Sequence, residues 1–170
     1  MTVTASVAIG DIQKRGRETQ TLVLIVLVLA VLGLVGEIVV SPIVHMARGA
    51  DARALLTGLR DNLVEALPIL ILLCGLWSAQ KVFGRVAEGE VFTAANAAGV
   101  GEIGSAMGWC GLAEVVIVPS IKAWIARSGP FDLHLVGWAM VLAALGGAVV
   151  LFGRIWALAA EIKADSDQIV

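Results

Sequence analysis

Three carboxylates, Glu37, Glu65 and Glu114, fall inside long apolar runs, and they are the residues of this chain best placed to do chemistry. A charged side chain deep in a bilayer costs about 2.5 to 3.5 kcal/mol on insertion scales, so such acids must be protonated, paired or hydrated. Counted from a helix start near Ala97, Glu114 lies about 25 Å into the layer at the usual 1.5 Å rise per residue. Glu37 reaches a similar depth in the first run, and Glu65 lies one turn into the second. Two chemistries suit them: a proton or cation site, or neutral carboxyls hydrogen-bonded between helices. A second polar pair, Glu102 and Arg154, falls at matching depth near one end of the third and fourth runs, which predicts a fastening ion pair or an arginine that snorkels to headgroups.

Other chemistry lacks the residues. There is no Ser/His/Asp set, no paired metal-ligand spacing and no phosphate-cradling glycine loop, so the expectation is a non-enzymatic protein without cofactor or metal. His45 and His134 sit on the same predicted side, but without H-x-x-x-H spacing. Cys74 and Cys110 fall mid-run, where thiols stay inert, although antiparallel neighbours at that depth leave a disulfide geometrically open.

The elements that carry these residues are dictated by composition. Hydrophobic residues make up 59% of the 170-residue chain and charged ones 15%, against roughly 45 to 50% and about 25% in soluble domains. Four apolar stretches run about 21–44, 63–82, 97–120 and 133–157. Each holds some twenty residues or more, enough to cross a hydrocarbon layer of about 30 Å. The expected fold is therefore all-α, an integral membrane four-helix bundle forming one domain over 21–160. Residues 1–20 read as a polar N-terminal tail and 161–170 as an acidic C-terminal tail. Lys14, Arg15 and Arg17 precede an apolar run too long for a signal-peptide core, which favours an uncleaved anchor.

Seven Lys or Arg residues flank the spans on the side of the two termini and five on the other, so the positive-inside rule predicts cytoplasmic termini and a plasma (inner) membrane protein. In the first connector, Leu55, Leu56, Leu59 and Leu63 recur at helical spacing, which predicts a short interfacial helix on the outer side between spans 1 and 2. Trp124 and Trp156 near span ends suit interface anchoring, and Trp109 and Trp138 suit packing.

The third span carries Gly101, Gly104, Gly108 and Gly111 at steps that keep small residues on one stripe, and the fourth offers Ala139, Ala143, Gly146 and Gly153. In lipid, close backbone approach holds helices together, so the two stripes are expected to meet. A second copy of the chain is the other candidate for that stripe. A net charge of -2 with no basic face argues against direct nucleic-acid binding.

Gly89-Glu90-Val91-Phe92-Thr93 followed by Asn96, then Ile103-Gly104 and the acidic ending after Glu161, resembles a bacterial family of four-span membrane proteins known as domain of unknown function 2975. Members usually carry proline where Val91 stands. The resemblance covers most of the chain from about Thr21 and supplies no catalytic residues. Members are often encoded beside a small helix-turn-helix regulator, so it implies a bacterial membrane partner for a cytoplasmic transcription factor. The polar segments 85–96 and 154–170 would form its docking surface. The alternative is a small oligomeric proton or cation conduit using the intramembrane carboxylates. Thr93 is placed to cap the third helix, so turn chemistry alone also accounts for the motif.

Overall fold

The computed structural model describes residues 3–49, 51–126 and 137–167. All regular structure among them is helical: α1 (Val3–Val35), a π-helical turn (Gly36–Val40), α2 (Ser41–Ala47), α3 (Ala52–Ala87), α4 (Ala94–Leu112), a second π turn (Ala113–Ile117), α5 (Val118–Ala126) and α6 (Gly137–Asp167). Through the π turns, α1 joins α2 and α4 joins α5, giving four rods. All four are long and apolar enough to cross a membrane, so the chain is a multi-pass membrane protein with an all-α fold.

The rods overrun the sequence-based boundaries. Residues 3–20 are not a separate tail but the start of α1. Asp11/Arg15 and Lys14/Glu18 are opposite charges four residues apart, which supports a helix, and no proline interrupts it. Gly16 rests on Ala87 with room for little more than a hydrogen, since a Cβ there would stand 3.1 Å from the Ala87 nitrogen. Described residues of the acidic C-terminal segment likewise extend α6 as far as Asp167.

The expected interfacial helix is also absorbed. Its leucines belong to the first turns of α3, which runs unbroken for 36 residues, because nothing between Ala52 and Leu63 stops a helix. Such a rod is about 54 Å long against a hydrocarbon core of about 30 Å, so its ends lie beyond the lipid or it tilts strongly.

Both turns of chain that reverse direction between described rods use a left-handed glycine. Gly49 has φ 84° just after α2, and Gly89 has φ 93° just after α3. At Gly89 the Glu90 N–H donates to the Arg85 carbonyl at 2.9 Å and the Gly89 N–H to Val86 at 3.0 Å, a Schellman stop. Thr93 then caps α4, its hydroxyl accepting the Asn96 N–H at 3.2 Å. The Gly89-to-Asn96 motif is thus a helix stop joined to a helix start.

Packing is strictly sequential. α1 lies on α3, α3 on α4, and α4 on α6, while among the described residues α1 approaches neither α4 nor α6, and α3 does not approach α6. The bundle is an open row. The glycine seams show why: on α4, Gly104 and Gly111 press against α6 whereas Gly99 and Ala106 meet Val82 and Gly75 of α3, so its two neighbours occupy opposite faces. A Cβ on Gly146 would stand 2.5 Å from the Gly108 nitrogen and 2.6 Å from the Gly104 carbonyl oxygen, so the α4–α6 seam is backbone against backbone. At the edge of the row, no residue in the most apolar stretch of the first rod is buried.

Candidate functional site

The two π turns sit where the sequence places its intramembrane acids. Glu37 is the second residue of one and Glu114 the second of the other, and each stands five residues before a proline: Glu37-Ile38-Val39-Val40-Ser41-Pro42 and Glu114-Val115-Val116-Ile117-Val118-Pro119. Proline has no N–H and its ring clashes with the carbonyl four residues back, and one widened turn relieves both. The residue before each proline makes the wide bond, Ser41 to the Gly36 carbonyl and Val118 to Ala113. In that register Pro42 would have served the Glu37 carbonyl, and Asn62 of α3 supplies the missing donor at 3.0 Å.

One turn along α3 from Asn62, Glu65 forms an ion pair with Lys122 of α5. The register that seats Gly75 on Ala106 also brings Glu65 level with Glu114. Glu37, Glu65 and Glu114 therefore share one height on three successive rods, displaced from the midplane toward the side away from the termini. The structure gives Glu65 a cationic partner, leaves Glu37 exposed and Glu114 half-buried, and makes no direct hydrogen bond among the three carboxyls. Beside them, between α2 and the start of α3, opens a groove of about 300 Å³ whose polar lining is Ser41, His45 and Asn62.

At the terminal side, the expected Glu102–Arg154 pair is not formed. The Ser78 hydroxyl of α3 donates to Glu102 at 2.6 Å, and Arg154 is exposed without an ion pair among the described residues. Glu102 and Arg154 each follow a glycine of the α4–α6 seam, Gly101 and Gly153. One residue turns a helix by about 100°, so a shared depth carried both side chains away from the seam.

The most complete polar network is one the sequence did not single out for chemistry. Asn96 is 0% exposed, and its amide donates to the carbonyls of Glu90 and Val91. Arg85 donates to Ala95 at 3.0 Å and to the Asn96 side-chain oxygen at 3.4 Å, and the Trp156 indole donates to Val91 at 3.2 Å. Trp156 also packs edge-on against Phe152 and obliquely against Phe92. It is a clamp across the α3–α4 turn, not the interface anchor its position suggested. Trp124 is 82% exposed and suits anchoring, while Trp109 and Trp138 face outward at 59% and 56% rather than packing inside.

Both cysteines are free thiols, Cys110 buried and Cys74 exposed. Among the described residues no three His, Cys, Asp or Glu side chains gather to hold a metal, and His134 lies outside those residues. No family model, no curated protein and no solved structure matches the chain.

Proposed function

We propose that the protein is a non-enzymatic component of a bacterial inner membrane, with both termini in the cytoplasm, that holds a soluble protein at the membrane surface. The observation that carries this reading is the extension of α1 beyond its apolar run as an ordered charged helix. Asp11, Lys14, Arg15, Arg17 and Glu18 are all exposed on it, and Gly16 against Ala87 fastens it to α3. Charges of both signs on a fastened helix suit recognition of a complementary protein surface, where like-charge mismatches reject wrong partners. A cytoplasmic helix-turn-helix regulator is the partner class proposed. Photo-crosslinking groups placed at Asp11, Glu18 and Glu161 should capture one soluble DNA-binding protein in living cells, and reversing the α1 charges should abolish the adduct and change transcription. Adducts to lipid alone, with an unchanged transcript profile, would contradict the reading.

A second reading, a proton or cation conduit, is favoured by the three carboxylates at one height with two of them in π turns, which often accompany functional sites in helices. Its test is flux in reconstituted vesicles. Glu114→Gln should reduce it severalfold, and absent or unchanged flux removes the reading.

A further inference from the structure

The chain is two copies of one device. α1–α2 followed by α3 makes a first hairpin, and α4–α5 followed by α6 a second. In each, the rod leading away from the terminal side carries Glu-x-x-x-x-Pro, a π turn beginning one residue before the glutamate, and an i to i-5 bond from the residue preceding the proline. Within the chain the two hairpins meet through the second rod of the first and the first rod of the second, α3 on α4. Among the described residues, the equivalent surfaces left over are the uncovered face of α6 and the uncovered face of α1, at opposite ends of the row.

We propose that these two faces pair between copies, α6 of one chain on α1 of the next, repeating between molecules the contact that α3 and α4 make within one. The shapes suit each other. Away from α3, α1 presents Leu22, Ile25, Leu29 and Leu32 at alternating steps of three and four, exposed by 62%, 49%, 62% and 60%. Away from α4, α6 presents Ala144 and Ala148, both exposed, a small-xxx-small pair that admits large side chains from a neighbour. The heights agree as well: Gln20 on Gly84, Val82 on Gly99 and Gly153 on Ala97 fix the levels of the rods, and equal rises from there bring Leu29 within about a turn of Ala148. The pairing is head-to-tail. Copies related by rotation about the membrane normal, with spans upright in one bilayer, form a closed ring once the rotation closes. Each joint would carry a further repeat of the Glu-x-x-x-x-Pro turn at the same height. This assembly does not depend on the soluble partner proposed above and stands or falls separately from it.

The test is disulfide formation in native membranes with Cys74→Ala and Cys110→Ala as background. A chain carrying both Leu29→Cys and Ala148→Cys should give dimers, trimers and larger species on oxidation, while neither single variant should yield dimers. Dimers from a single variant would mean a two-fold contact between like faces and would overturn the proposal. A disulfide confined within one chain, or none in protein that reaches wild-type membrane levels, would overturn it too. Should the double variant fail to accumulate, native mass spectrometry of the unaltered chain in lipid nanodiscs decides: three or more copies per particle support the ring, and a monomer or a dimer rejects it.

Discussion

Asn62 of α3 donates its side-chain amide to the backbone carbonyl of Glu37 at 3.0 Å, five residues before Pro42 in the first rod. One helix thus satisfies a carbonyl that a proline on its neighbour leaves without its wide-register donor. Hydrogen bonds between helices in membranes are worth about 0.6 kcal/mol on average and about 1.7 kcal/mol at most. Asn62→Leu should lower stability by about that much. Pro42→Ala restores the N–H, so in its presence the Asn62→Leu penalty should shrink. A double-mutant cycle by steric trapping measures the coupling, and strictly additive effects would contradict the assignment.

The α4–α6 seam makes a sharper prediction because two glycines on it differ in what surrounds them. A Cβ on Gly146 would press into backbone atoms of Gly104 and Gly108, whereas one on Gly108 would meet nothing within 4 Å. Gly146→Ala should therefore cost about 1 to 3 kcal/mol as the rods are forced apart. Gly108→Ala should be close to neutral. Thermal unfolding in mild detergent compares them, and equal losses would contradict the packing.

Asn96 is the buried polar residue with most to lose. Asn96→Ala strips partners from the carbonyls of Glu90 and Val91 and from Arg85, and an unpaired buried polar group costs about 1 to 3 kcal/mol. Trp156→Phe removes a single bond to Val91 while keeping an aromatic ring beside Phe92 and Phe152, so its cost should be smaller, about 1 kcal/mol. The opposite order of the two losses, read from the same unfolding assay, would displace Asn96 from the centre of the clamp.

The Glu65–Lys122 pair matters through what its loss leaves behind. An unpaired charge within a span costs about 2.5 to 3.5 kcal/mol on insertion scales, so reversing either residue alone should lower membrane abundance. Exchanging the two, Glu65→Lys with Lys122→Glu, should restore the membrane abundance that either reversal alone reduces. If the exchange fares worse than the single reversals, the two residues are not partners.

Much of the fold was legible because lipid imposes simple patterns. Spans announce themselves by length and hydropathy, and steps of three and four residues placed Gly104 and Gly111 on one face, where Ala139, Ala143 and Gly146 now meet them. Helix ends were less legible. No proline or strong cap marks the boundary at Thr21 or at Leu63, so α1 and α3 run through positions where hydropathy changes but the backbone has no reason to stop.

The polar contacts were hardest to read, because depth is a one-dimensional quantity and a contact needs the angle around the helix too. Glu102 and Arg154 share a depth, yet Glu102 turns to Ser78. The π turns do have a sequence signal, glutamate followed five residues later by proline, twice, in the two rods that leave the terminal side. Lys122 reads in the sequence as one more charge flanking a span, and its pairing with Glu65 follows only from the α3–α5 register.

The open row of rods is tested most directly by one distance. With nitroxide labels at Leu29→Cys and Ala148→Cys in a chain lacking Cys74 and Cys110, diluted into excess unlabelled protein in lipid, double electron–electron resonance reads the separation within one molecule. Neighbouring helices pack about 8 to 10 Å apart, so three successive spacings in a row put the axes of the first and last rods about 24 to 30 Å apart, and the labels, on their outward faces, at about that distance or beyond. A distance below about 15 Å would place α1 beside α6, as in a closed bundle of adjacent helices, and would contradict the account.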